Sequence, residues 1–526
     1  MAIADSALDG ARGNSGAILA QFFVGFSDGI KEKISLTAKE FAQAALHAKD
    51  YAYDALTHPQ EGTILSVIKT WAESLLESCN NSNDIFSMLS KGLDDARISL
   101  KNTPKQLDVL AKAGVLDAGA QGFVDLLEGI NEYITSGKII ESNLELIDED
   151  MISIEATTNE KYRYCTECII IGEDIQRRKL QEVLMDHGDS IVLAGTKTKA
   201  KVHIHSDEPR KIFSICSKYG SISGEKTDDM IKQQSDAHKA QYPIAVIVDS
   251  GCDLPDEVVD SLNIHVIPVK LNFGDVHYVD KVSLTSKEFW NELEKNPVHP
   301  QTSQPSPGDF RRQYQFLSSH YESAISIHIP EKASGTYQSA VTASKTVPKF
   351  PIEIKDSLNG SIGLGLIAMS AAEAIKKKHD FNEVSKIVDH AVENTTLFIG
   401  LKELNNVVKG GRISPKIKKV ANFLRINPIL TFNNQGIKPI GFTIGNNNKA
   451  EKFKKFVESK IPKNKNIRLG IAHAKMEEFA LNWSKNLRKD YGKENVVLTE
   501  VGPALGVHAG PGSLVFAIQV LDDGKH

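Results

Sequence analysis

Gly10-Ala11-Arg12-Gly13-Asn14-Ser15-Gly16 is followed at once by the apolar run Ala17-Ile18-Leu19-Ala20-Gln21-Phe22-Phe23. A glycine-rich loop that opens a helix leaves unpaired backbone N–H groups at the positive end of the helix dipole, and small side chains let a phosphate approach them. The segment has two readings: a nucleotide-phosphate site made by Gly13, Asn14, Ser15 and Gly16, or a tight turn at a close helix contact. Glu61-Gly62-Thr63-Ile64-Leu65 and Asp117-Ala118-Gly119-Ala120-Gln121-Gly122 are two more small-residue turns ahead of helical patterns. Three helix N-termini are therefore expected to converge on one ligand, with Thr63, Asp117 and Gly119 contributing. Apolar spacing near 3.6 over 41–46, 64–76 and 124–134 makes residues 1–140 an all-α domain.

The stretches GARGNSGAILAQFF, EGTIL and AGVLDAGAQGFVDLLEG resemble the nucleotide-binding domain of dihydroxyacetone kinases of the DhaL type, and more closely the kinase subunit of bacterial fatty acid kinase. The resemblance implies ATP and magnesium as cofactors. In that family a DGDTG-type aspartate cluster holds the magnesium ions that bridge the ATP phosphates; this sequence has no such cluster, and only Asp5 and Asp9 precede the glycine loop. Phosphoryl transfer depends on metal neutralisation of phosphate charge. The expectation is a truncated reading of a longer gene, with a remnant nucleotide domain as the alternative.

At 526 residues the chain is too long for one core. Hydrophobic and charged fractions of 41% and 25% are those of a globular protein, and a net charge of −5 argues against broad nucleic-acid binding. Five cysteines, Cys79, Cys165, Cys168, Cys216 and Cys252, form no disulfide framework and suit a reducing compartment, so the cytoplasm is expected. The longest apolar stretch, 362–372, is too short to span a bilayer.

After a polar, acidic stretch at 141–160 the pattern changes to strands, at 162–171, 190–193 and 201–205, with a helix near 180–185: a small α/β domain over 160–240. Residues two apart on a strand share a face, so His203 and His205 project together, opposite Val202 and Ile204. With Cys165 as third ligand they make the beginning of a zinc site; Cys168 points the other way and Glu167 shares the Cys165 face. The alternative is an amphipathic strand with solvent-facing histidines. The YCTE and VHIHSDEP segments resemble the middle domain of the fatty acid kinase subunit, which implies zinc on Cys165, His203 and His205.

From Ile244-Ala-Val-Ile-Val248, a β-branched run typical of a buried parallel strand, apolar strands alternate with helical segments to the end. Small polar turns at 249–254, 302–306 and 334–339 are expected at the carboxyl edge of strands, where they suit an anion such as a carboxylate; Ser306, before Pro307, reads as a helix cap. No GxSxG elbow surrounds Ser334, so a hydrolase is disfavoured. DSGCDLP, TSQPSPGDF, SGTYQSA, GGRIS and the turn 506–512 resemble, in order, the DegV family of fatty-acid-binding proteins over 243–523. That implies two α/β lobes, an acyl chain in an apolar tunnel, and Thr302, Ser334 and His508 on its carboxylate. Arg412 in GGRIS has two open roles, anion pairing and exposed docking.

The expected protein is thus multidomain: an all-α DhaL-like domain at 1–140, a small α/β middle domain at 160–240 and a two-lobed α/β DegV-like domain at 243–523. The expected function is transfer of the γ-phosphoryl group of ATP to a bound fatty acid, helped by joining kinase and carrier on one chain at an effective concentration of about millimolar order. The alternatives are a fatty-acid carrier with an inert ATP domain and a dihydroxyacetone kinase-like enzyme with a regulatory lipid-binding domain. Expected partners are a fatty acid, kinase or carrier homologues, a downstream acyltransferase and a second copy of the chain.

Overall fold

A computed structural model describes residues 2–11, 13–30, 33, 35–57, 59–81, 84–137, 161–230, 242–274, 276–424, 426–445, 447–463 and 465–521. The chain divides into two compact units, Met1–Met230 and Ile231–His526. The expected boundaries at 141–160 and near Ala240 lie outside the described residues.

The first unit opens with helices α1 (Ala2–Gly10), α2 (Gly13–Ile30), α3 (Ala38–Asp54), α4 (Ile64–Asn81), α5 (Ile85–Lys101), the short α6 (Thr103–Gln106) and α7 (Asp108–Ala113), and α8 (Ala118–Ser136). Thr37 and Glu40 form a capping box that starts α3. Its alanine face then lies close on α2, where a Cβ on Gly25 would come within 2.9 Å of the Ala48 Cα. Phe22, Trp71 and Phe123 meet edge to face and tie α2, α4 and α8 into one core.

Four antiparallel strands follow, β1 (Tyr164–Ile171), β2 (Asp189–Gly195), β3 (Lys199–Ser206) and β4 (Ser221–Asp229), in the order β2-β3-β1-β4. The alternation expected on β3 holds: Val202 and Ile204 are buried with helices α9 (Arg177–Met185) and α10 (Pro209–Cys216) on that side. The histidine face, expected to be wet unless it held a metal, is covered as well. Val192 and Ala194 of β2, which pair with His203 and Lys201 of β3, share a core with Ala4, Leu8, Ala17 and Val24. The two domains separated at 141–160 in the sequence reading therefore pack as one body. Strand β4 was not anticipated, because Ser221–Asp229 is too polar to read as a strand.

The second unit contains β5 (Ile244–Asp249), β6 (Ile264–Ile267), β7 (Lys270–Phe273), β8 (Val276–Val279), β9 (Gln301–Ser303), β10 (Ser323–His328), β11 (Ile352–Asp356), β12 (Thr395–Gly400), β13 (Ile426–Asn433), β14 (Gly436–Ile444), β15 (Ile467–His473), β16 (Val496–Glu500) and β17 (Leu514–Val520). Strands β11-β10-β5-β6 make a parallel sheet, as the β-branched run at 244–248 requires. The second lobe, β14-β13-β12-β17-β15-β16, is antiparallel except at β15–β16; its strands alternate with helices along the chain as expected, except at the β13–β14 hairpin. Strands β8-β7-β9 form a separate small antiparallel sheet. The apolar stretch 362–372 lies in the buried helix Ser361–Lys376. No helix among the described residues is long and apolar enough to cross a membrane.

Candidate functional site

A cavity of about 400 Å³ lies inside the second unit. Leu397, Ile399, Leu430, Phe432 and Val515 of β12, β13 and β17 supply one wall, and the helix Pro503–Ala509 supplies Ala504, Leu505 and His508. The turns after β5 and β10 bring Gly251, Ile329, Ser334 and Gly335 to the same space. Such a volume, mostly apolar with few converging polar groups, is that of a small-molecule site.

Thr302, Ser334, His508 and Arg412 all line this cavity. Thr302 belongs to β9 and not to a turn, as the sequence had suggested; it pairs with Leu271, which fixes its hydroxyl toward the cavity. Its Oγ1 lies 3.5 Å from His508 Nε2. Ser334 Oγ is 2.8 Å from Thr336 Oγ1 and accepts from the Thr336 amide, so a ligand would share it with the start of the helix Thr336–Ser344. Arg412 donates from Nη1 to the Gly410 carbonyl at 2.6 Å, which turns the guanidinium onto the wall. Burial, then the charges of Arg412 and His299, push the His508 imidazole down to about 4. It is neutral at physiological pH and donates through one nitrogen. Ser306 caps Pro307–Ser318 through a capping box, as read from the sequence.

Ser303 and Gln304, which the sequence places in the turn 302–306 without assigning them a role on the ligand, also line the cavity, as does Ser361. Gln304 Nε2 reaches Ser339 Oγ at 3.4 Å across Gly335, where a Cβ would stand 2.1 Å from Gln304 Oε1. The TSQPS and SGTYQS segments carried that signal, a glycine opposite a long amide, but nothing in either alone pairs them.

In the first unit, antiparallel register sets Cys165 opposite His205 and Glu167 opposite His203. The ligand atoms of Cys165, His203 and His205 lie within 4.8 Å of one another. His203 Nδ1 is 3.0 Å from Glu167 Oε1, while its buried Nε2 has no partner among the described residues. Burial, then His203, lowers the His205 pKa and favours the neutral, metal-binding form. One thiolate and two imidazoles fit zinc, and the orphaned nitrogen is an observation that a bound metal explains. Cys168 points away and contacts Cys216, both buried.

Glu167 links this cluster to the glycine loop. Its Oε1 also accepts from the Gly13 amide at 3.3 Å, and Lys201 bridges its Oε2, at 3.6 Å, to the Ala11 carbonyl. Asp9, one of the two acids ahead of the loop, pairs with Lys199. A Cβ on Gly119 would meet Ser15 Oγ, so the N-termini of α2 and α8 do adjoin. The third turn reaches them indirectly: Gly62 packs on Thr103 to Leu107, and the Asp117 amide donates to Thr103 Oγ1. Asp117 Oδ1 caps α8 through Ala120, Thr63 Oγ1 accepts from the Leu65 amide, and Asn14 is exposed.

The DegV family model matches residues 243–521, a DAK2 domain model matches 1–132, and a model of the FakA-like middle domain of fatty acid kinase matches 161–237. DegV domain-containing protein SACOL1460 of Staphylococcus aureus is 32% identical over 269 residues, which cover 51% of this chain and 96% of that protein. Protein YloV of Bacillus subtilis is 32% identical over 247 residues, covering 44% of this chain and 45% of YloV. Among solved structures, a DegV family protein from Thermus thermophilus described by its fatty acid binding is 25% identical, with a TM-score of 0.49, covering 53% of this chain and 100% of that one. With a DAK2 domain and a fatty acid kinase-type middle domain ahead of the matched region, the chain belongs to the DegV family.

Proposed function

We propose that the second unit binds a fatty acid and that the whole chain serves its phosphorylation by ATP. The observation that carries this reading is the placement of Thr302, Ser334, Arg412 and His508 on the wall of a mostly apolar cavity. Apolar residues would hold the alkyl chain, and the hydroxyls, the neutral imidazole and the guanidinium would hold its carboxylate. A fatty acid of pKa roughly 4–5 is already ionised at neutral pH, so no strong base is needed. In the proposed step a carboxylate oxygen forms a bond to the γ-phosphorus, the bond from that phosphorus to the β–γ bridging oxygen breaks, and ADP leaves with the electron pair. Gly13, Asn14, Ser15, Gly16, Thr63, Asp117 and Gly119 remain the proposed nucleotide side, with magnesium. Cys165, His203 and His205 remain the proposed zinc ligands. A cytoplasmic location and partnership with kinase or carrier homologues belong to the same proposal.

The carrier reading with an inert nucleotide domain has one observation in its favour: the Gly13 amide is already spent on Glu167, and Asp117 and Thr63 serve as caps. Organic extraction of the protein purified from a bacterial host, followed by mass spectrometry, tests the common part; no acyl chain and no uptake of palmitate or oleate would remove both readings. ATP turnover with and without added fatty acid separates them, since an inert domain gives no fatty-acid-dependent ADP.

A further inference from the structure

A second, polar cleft of about 330 Å³ abuts the cavity, and Ala509 lines both. Each of its walls continues a segment that already contributes to the polar end of the cavity. His299 precedes Thr302 on the approach to β9, Lys409 precedes the Gly410–Arg412 turn, and Gly510 and Pro511 follow His508. The backbone comes close here: a Cβ on Gly410 would stand 2.2 Å from His508 Nδ1, and one on Gly510 would stand 2.0 Å from Asn406 Nδ2. Only glycine leaves the imidazole between the two compartments.

The electrostatics of the cleft are unbalanced toward positive charge. Of its two acids, Glu294 pairs with Lys475 and Glu403 accepts from the Asn405 side-chain amide, so outside the Glu294–Lys475 pair Lys402 and Lys409 stand against one carboxylate. Lys402 and Lys409 make no ion pair among the described residues. Two buried imidazole nitrogens, His299 Nε2 and His508 Nδ1, have no hydrogen-bond partner among them either. A buried polar nitrogen without a partner is costly unless something occupies it, and of the two only His299 lines the cleft. An anion with several acceptor oxygens, small enough for the cleft and adjacent to the carboxylate end of the alkyl chain, would answer the two lysines and the His299 nitrogen together.

We propose that this cleft is an anion subsite that receives the phosphoryl group of an acyl phosphate while the acyl chain stays in the apolar cavity, with Lys402, Lys409 and His299 as its donors. The assignment rests on the acyl-kinase reading above and makes it more specific, because a carrier that held only fatty acids would have no use for a dianion site beyond the carboxylate. The same chemistry would accept free inorganic phosphate. Lys409 is then a specificity-determining residue for product over substrate, and His508 the partition between the two compartments.

The test uses the full chain, stripped of lipid, and competition against a fluorescent fatty acid. The probes are palmitate, inorganic phosphate, and the palmitoyl phosphate analogue in which a methylene replaces the oxygen between carbonyl and phosphorus. The Lys402→Met/Lys409→Met double variant is expected to weaken the analogue by about tenfold or more and to leave palmitate within about twofold, as loss of charge-assisted hydrogen bonds to phosphorus oxygens alone requires. His299→Asn should act in the same direction with a smaller change. Phosphorus NMR on palmitate-loaded protein separates the sources: line broadening of inorganic phosphate that the double variant abolishes marks a free-phosphate site, and sensitivity of the analogue alone marks a tethered one, both in keeping with the subsite. Equal losses for palmitate and analogue, or no loss for either, would overturn it. If the unaltered protein binds no palmitate, the fatty-acid reading itself falls, an outcome distinct from failure of the cleft.

Discussion

Glu167→Gln is expected to lower the stability of the first unit by about 3 kcal/mol. The carboxylate is 3% exposed and lies within reach of His203 Nδ1, the Gly13 amide and Lys201, with Lys226 adding its charge. Burial by itself would raise the Glu167 pKa, but the His203 contact and the two lysines overcome it and hold the carboxyl well below the usual range. Glutamine keeps one acceptor oxygen and loses the charge that Glu167 sets against the Lys201 ammonium, which is 4% exposed. Removing one member of a buried pair costs about 3–5 kcal/mol. The Ala11 carbonyl still accepts from Lys201 and Asp228 still pairs with Lys226, so the lower end applies. For a unit of this size that is a midpoint lower by about 6–12 °C, read by differential scanning calorimetry on the full chain. A glutamate whose folded pKa is depressed stabilises above its unfolded value of 4.5, and that contribution is lost as pH falls toward the folded value. The gap between the two proteins should therefore be full at neutral pH and shrink below 4.5. A midpoint shift under about 2 °C, or a gap independent of pH, would refute the reasoning.

Thr302→Ala should weaken palmitate binding about 10- to 100-fold, the value of a hydrogen bond to a charged group, and a change under about twofold by the same competition assay would place the carboxylate elsewhere. Elemental analysis should find zinc near one equivalent, lost in His203→Ala and His205→Ala; a protein prepared without chelator and free of transition metal would return that face to packing alone. Asp280 is buried, neither oxygen meets a donor at hydrogen-bonding geometry, and burial, tempered by Lys281, pushes its pKa up to about 7. The folded state then holds a proton that the unfolded state has lost between about 4 and 7, so stability falls as pH rises through that window. Asp280→Asn should accordingly raise the melting midpoint at pH above 7 and do little near pH 4; a larger gain in acid would contradict the sign.

The fold was legible where periodicity and burial coincide. The run Ile244–Asp249 is buried throughout and sits in the parallel sheet; the alanine and aromatic spacing of α3, α4 and α8 is the spacing of their packed faces. It was not legible where a strand gains its place from neighbours alone. Strand β4 is polar and is held by pairing with β1, and β13 with β14 form a hairpin whose outer strand is largely exposed. Strand β9 is three residues long, too short for any period to appear, yet it decides where Thr302 points.

The same limit governs the sites. Alternation on β3 places His203 and His205 on one face, and register with β1 adds Cys165 and Glu167, so a strand pattern was enough to name a ligand set. What covers that face is a matter of the fold, because the residues that do so, Ala4 to Val24, lie about 140 positions or more earlier. That cover changes the chemistry of Glu167 from an exposed acid beside a strand to a buried anion on the first amide of α2. The glycine loop was read as an anion site because helix N-termini attract negative charge. The physical argument holds at Gly13, and the anion found there is the protein's own carboxylate. Thr302 and His508, 206 residues apart, show the converse case. Neither has a local signature stronger than a cap or a turn, and only the closure of the cavity by the helix Pro503–Ala509 makes them neighbours. Long-range closure of this kind leaves no period in the sequence, so residues it recruits, such as Gln304 and His299, become visible only once the backbone that separates them is in place.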